Sequence, residues 1–169
     1  APVFVFNGDF NWFNATSTSF RTINETVLNH WTLQGNVEAE LGIPTPGAGC
    51  GCAYPDWVSD DRVAASNRIM DRLQDIARQA PGLTDKLADC PLQLTAEVGP
   101  ARIGIIHGDP ERLAGWRLAV EEMPTPGTTP LNIEQWFRTA GVDGFACTHT
   151  CLPYLQDFTV DGTRRVVIN

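Results

Sequence analysis

Four short polar signatures carry the side chains from which a metal centre could be assembled: Gly8-Asp9, Gly35-Asn36, His107-Gly108-Asp109 and Cys147-Thr148-His149. Together they offer a carboxylate, an amide oxygen and two imidazoles. Hard or borderline divalent cations take this mixture of donors, usually from separate loops. A glycine beside the polar residue in the first three signatures lets the backbone turn sharply while one side chain projects past a strand end. Each residue also has an ordinary reading taken alone. Asp9 suits a turn or helix cap, Asn36 a left-handed turn, His107 a hydrogen-bonded core position and His149 a surface loop. Their weight comes from standing together at the ends of predicted strands.

The elements that must position them follow from periodicity and punctuation. The apolar run Val3-Phe4-Val5-Phe6 has the length and composition of a buried strand and stops at Asn7-Gly8-Asp9. Phe20, Ile23 and Val27 recur at helical spacing over residues 17–28, and a second short strand over 31–34 ends at Gly35-Asn36. Residues 42–54, rich in Gly, Pro and Cys, predict a loop. A long helix is expected over 59–80, with Val63, Ile69, Met70, Leu73, Ile76 and Ala77 along one stripe, and a shorter one over 85–89. A hairpin is expected from 92–98 and 101–106, turning at Gly99-Pro100 and running into His107. Helices over 111–122 and 133–140 precede strands at 144–147, 155–160 and 164–168. Alternation of strands and helices predicts an α/β fold with function at the strand ends.

The chain has 169 residues, with 43% hydrophobic and 19% charged, the composition of a folded domain with its own core. It carries 12 basic and 20 acidic residues, and Lys86 is the sole lysine. A net charge of −8 disfavours a duplex nucleic acid as partner, because phosphate contacts need a basic face. No run of apolar residues is long enough to span a membrane. Five cysteines (Cys50, Cys52, Cys90, Cys147 and Cys151), an odd number at irregular spacing, suggest reduced thiols and a cytoplasmic setting. The spacing of Cys50 and Cys52 is a poor match to structural zinc, whose cysteine pairs lie two to four residues apart, and loop packing or a place lining the site is the better expectation. Without an initiator Met and opening directly on an apolar run, the sequence suggests a piece of a longer chain.

The order and spacing of the signatures resemble those of the calcineurin-like metallophosphoesterases, which carry successive GD, GN, H and GH-x-H motifs. The resemblance extends over nearly the whole chain and is closest to the small bacterial phosphodiesterase branch. It includes Leu33-Gln34-Gly35-Asn36, Ile105-Ile106-His107-Gly108, Thr148-His149 with Pro153, and Val166-Val167-Ile168-Asn169. It implies an α/β fold of two packed mixed β-sheets flanked by helices, as one domain over residues 1–169, with 42–90 a loop and helical insertion that could cap the site.

The resemblance also implies a chemistry. Asp9 would bridge two divalent metal ions (Mn, Zn, Fe or Mg), Asn36 and His107 would ligate the second, and His149 the first. Water activated between them would hydrolyse a small phosphorylated substrate, a phosphodiester or phosphomonoester. Three departures modify this expectation. The family's first strand, carrying Asp-x-His, has no counterpart here, and flanking residues are expected to supply it. Cys147 stands where the family has a histidine ligand, and would be a thiolate fifth ligand suited to zinc. Val37 replaces a histidine acting as acid toward the leaving group, with Glu38 or a metal-bound water as the substitute. The alternative reading is a catalytically silent phosphoesterase-like domain that binds a nucleotide or a protein partner. Tyr54 and Trp57 could stack on a base or sugar, and Arg112 and Arg117 could meet a phosphate.

Overall fold

The polar segments after the strands fold as tight turns because the strands feeding them are short and paired. In the computed structural model, which describes residues 2–169, β1 (Val5–Asn7) pairs in parallel with β2 (Trp31–Leu33), Phe6 opposite Thr32. The crossover is α1 (Ser17–Val27), started by a reciprocal cap in which the Thr16 hydroxyl accepts from the Ser19 N–H. α2 (Asn36–Gly42) follows β2 directly, then α3 (Asp60–Ala77) and α4 (Pro81–Ala88). The Pro81-Gly82 pair, which could end a helix, instead begins one. Proline fits the first helical turn because its missing N–H would have no partner there.

The chain divides into two compact units, residues 1–92 and 93–169. The first holds β1, β2 and α1 to α4 around one core of Phe20, Val37, Leu41, Met70, Leu73, Ile76 and Leu87. Of the stripe expected on α3, Met70, Leu73, Ile76 and Ala77 are buried, whereas Ile69 is exposed. The segment 42–90 therefore supplies core to its own unit through this face. Tyr54 packs against the same core and its hydroxyl lies 2.8 Å from Ser66 Oγ.

The second unit is a five-stranded mixed sheet in the order β3–β4–β5–β7–β6. The expected hairpin is β3 (Gln93–Val98) with β4 (Ala101–Ile106), antiparallel. β5 (Gly144–Ala146) joins β4 and β7 in parallel, and β6 (Leu155–Val160) returns antiparallel to β7 (Thr163–Ile168) through Asp161-Gly162. α5 (Leu131–Ala140) makes the crossover from β4 to β5 and ends on left-handed Gly141. Its Ile133, Trp136 and Phe137 pack on Phe145, Phe158, Val160 and Val167. The fold is α/β, with two sheets flanked by helices. Among the described residues no helix is long and apolar enough to cross a membrane.

Where a helix is expected over 111–122, the structure has turns and a single 3-10 turn at Val120–Glu122. Asp109 and Arg112 instead exchange backbone hydrogen bonds in both directions, at 3.1 and 3.3 Å, and the Arg112 carbonyl also accepts the Gly115 N–H, so the segment closes into successive tight turns.

Candidate functional site

In the first unit, the parallel ends of β1 and β2 bring two of the expected residues together. Gly8 and Asp9 both take positive φ, 76° and 56°, which throws the chain into a turn immediately past β1. Asp9 Oδ1 accepts the Val37 N–H at 3.0 Å, so the carboxylate sits beside the start of α2. Gly35 permits this approach: a Cβ there would lie 2.3 Å from Asp9 Oδ1 and 2.5 Å from its backbone nitrogen. Asn36, 2% exposed, donates from Nδ2 to the Cys50 carbonyl at 2.9 Å. That bond makes its Oδ1 the atom suited to a cation.

Glu38 organises this turn. It is fully buried, and its carboxylate accepts the backbone N–H groups of Asp9 at 2.6 Å, Asn11 at 3.1 Å and Gly35 at 3.1 Å, besides the Asn11 side chain. Burial raises its pKa to about 7, the charge of Asp9 adds to the rise, and the bonds from Asp9 and Asn11 oppose it. A group enclosed in this way fixes the Asp9 backbone and is placed as a positioning residue, unlike the leaving-group acid expected for it. Behind it, Asn24 Nδ2 donates to Asn11 Oδ1 at 2.7 Å and Asn14 Nδ2 to the same oxygen at 2.9 Å. These three buried asparagines are structural.

In the second unit, His107 directly follows β4 and Cys147 directly follows β5, its parallel neighbour. The N–H groups of Thr148 and His149 both donate to the His107 carbonyl, at 3.0 and 2.9 Å, and lock the two strand ends together. His107 Nε2 and His149 Nδ1 then lie 3.2 Å apart, with both residues buried. Two imidazoles on one ion, each about 2.0–2.1 Å from it, would hold their nitrogens roughly 3.0–3.4 Å apart. The observed spacing fits. Thr148 Oγ1 is 3.3 Å from His107 Nδ1, and a proton donated there leaves the Nε2 lone pair facing His149. Trp116 meets the His149 ring edge-on, with centroids 5.2 Å apart. Its contribution was invisible in sequence, since it lies in the segment that reads as a helix.

Cys147 lies in the second core. Its thiol donates to the Ile168 carbonyl at 3.5 Å, and burial pushes its pKa up to about 12. It is thus held as a protonated core thiol. Arg117 pairs with Glu111 at 2.8 Å on the surface, and Arg112 is exposed. Trp57 is exposed too. Cys50 and Cys52 correct the expectation of uniformly reduced thiols: they are joined by a disulfide, whereas Cys90, Cys147 and Cys151 are free thiols.

No protein-family model matches the chain, and no curated protein sequence matches it. Among solved structures it is similar to a hypothetical protein from Pyrococcus horikoshii OT3, with a TM-score of 0.51 and 13% identity. The match covers 89% of this chain and 56% of that one, so the chain spans little more than half of its neighbour's length. At that identity the likeness is one of fold.

Proposed function

We propose that the chain hydrolyses a phosphate ester, a monoester or a diester, with water activated by two divalent metal ions. The observation that supports it is the pair His107 and His149, buried on adjacent parallel strand ends with Nε2 and Nδ1 3.2 Å apart. Carboxyl ends of parallel strands are where α/β folds collect ligand-binding groups. In this reading Asp9 and Asn36 are the candidate donors of the first unit, and His107 Nε2 and His149 Nδ1, 3.2 Å apart, are those of the second. Cys147 is left out of the set, because its thiol is committed to the Ile168 carbonyl. When bound, the metal lowers the pKa of water and neutralises charge on the phosphoryl oxygens.

The residues around these donors have defined tasks. Glu38 fixes the backbone of Asp9, and Thr148 sets the proton on His107. Trp116 presses on the edge of the His149 ring and restricts its rotation. Val37 has no proton to give, so the leaving alcohol would be protonated from solvent. A cytoplasmic setting belongs to the same proposal and is supported by the three free thiols, Cys90, Cys147 and Cys151, that stand beside the one disulfide.

The test is metal stoichiometry by elemental analysis after loading with Mn²⁺, together with turnover of an aryl phosphodiester and an aryl phosphomonoester. Bound metal and turnover, both lost in Asp9→Asn and in His149→Ala with the fold retained, are expected. Metal-free protein without turnover would overturn the reading. Bound metal without turnover on any ester would favour the catalytically silent binding domain instead.

A further inference from the structure

We propose that Cys50 and Cys52 form a thiol–disulfide switch that sets the position of the Asn36 side chain. Its consequence for metal binding rests on the reading of Asn36 given above. The loop over 49–53 is fastened to both flanking helices. Asn36, the first residue of α2, donates from Nδ2 to the Cys50 carbonyl at 2.9 Å, and the same nitrogen lies 3.5 Å from Cys52 Sγ. The Cys50 N–H donates to Asn67 Oδ1, on α3, at 3.0 Å. Between the two sulfurs Gly51 has φ +67°, and a Cβ on it would approach Glu40 Cγ to 2.9 Å, so the ring is seated directly against α2. A covalent change at the sulfurs therefore acts at the Asn36 amide within one contact.

A bond between residues two apart closes a very short loop. Chain-entropy stabilisation from a disulfide grows with loop length, so this one contributes little as a staple. Disulfides in a cytoplasmic protein are typically transient and catalytic or redox-sensing. A dithiol reductant supplies the chemistry. One of its thiolates attacks Cys52, the less deeply buried of the two, and expels the Cys50 thiolate. Its second thiol then displaces Cys52 from the mixed disulfide. The products are two protein thiols and the oxidised, cyclic form of the reductant, with two electrons and two protons transferred. The released loop no longer holds the Cys50 carbonyl against Asn36.

The experiment uses the full chain, oxidised or treated with a phosphine reductant, with three readouts. Maleimide labelling in denaturant is expected to count three thiols before reduction and five after. The Asn36 side-chain amide, followed by NMR, is expected to shift and to exchange up to about tenfold faster once its bond to Cys50 is loosened. Mn²⁺, which thiolates bind poorly, is expected to bind about tenfold more weakly to the reduced chain. Cys52→Ser should resemble the reduced chain and ignore the phosphine. Five reactive thiols in the oxidised sample would overturn the proposal, as would an Asn36 amide or an Mn²⁺ affinity indifferent to reduction. If the amide responds but Mn²⁺ binds in neither state, the metal reading fails while the coupling of the loop to Asn36 stands.

Discussion

Glu38 Oε2 accepts the backbone N–H of Asp9 at 2.6 Å, across 29 residues of sequence. A helix residue thereby holds the turn that presents the carboxylate beside β2. Glu38→Ala would leave the buried N–H groups of Asp9, Asn11 and Gly35 without an acceptor, and each unsatisfied donor is costly. The expected loss is on the order of 3 kcal/mol in urea unfolding, with a smaller loss for Glu38→Gln, which keeps an acceptor oxygen.

The pH dependence of the metal-free protein has two limbs of opposite sign. Glu38 is raised from 4.5 to about 7, so the native state holds a proton that the unfolded chain gives up. Its contribution is complete below pH 4.5 and is lost as pH rises through about 7. Asp143 is lowered from 3.8, first by the Arg102 N–H and then by Arg165, and Asp161 is lowered by Arg138. Their contributions are present above 3.8 and lost as pH falls below it. The urea midpoint is expected to fall from pH 5 to about 8 and again below pH 4; Glu38→Gln should flatten the first limb and Asp161→Asn part of the second. A midpoint rising through neutral pH would refute the assignment to Glu38.

Two glycines separate crowding from backbone freedom. Gly35→Ala drives a methyl group to 2.3 Å from Asp9 Oδ1, and is expected to cost roughly 2 kcal/mol or more and to weaken any metal binding. Gly82, inside α4, has open space at its Cβ position. Gly82→Ala should leave metal binding unchanged and stabilise the fold by about 0.5–1 kcal/mol, through helix propensity alone. Thermal unfolding of the pair checks both signs.

His107, His149 and Cys147 are expected to separate cleanly in a metal titration. His107→Ala or His149→Ala should lower Mn²⁺ or Zn²⁺ affinity at least about tenfold. Cys147→Ser should leave it within about twofold, while costing roughly 1–3 kcal/mol of stability for burying a hydroxyl among Phe145, Phe158 and Val167. A large loss of Zn²⁺ affinity in Cys147→Ser would show that the thiol turns to the metal.

The α3 stripe offers a last check on packing. Leu73 is wholly buried and Ile69 is 40% exposed. Leu73→Ala should cost about 2–5 kcal/mol and Ile69→Ala about 1 kcal/mol or less by chemical unfolding.

Local chemistry by itself determined most of the elements. Alternation and turn residues marked the hairpin at Gly99-Pro100 and the strands of the C-terminal pair, and helical spacing found α1, α3 and α5, because these signals are complete within a few neighbouring residues. Glycine-flanked Asp9 and Asn36, and the strand-end His107 and His149, were legible as donors for the same reason. Only the tertiary structure decided what those donors are held by. Glu38 as the anchor of Asp9, the Cys147 thiol turned to Ile168, Trp116 against His149 and the Cys50–Cys52 bond beneath Asn36 all join residues distant in sequence or facing different elements. The segment after His107 shows the limit most directly: Asp109 and Arg112 exchange backbone hydrogen bonds in both directions, and a stretch patterned as a helix becomes a chain of turns. Propensity is a small local free energy, and tertiary context outweighs it.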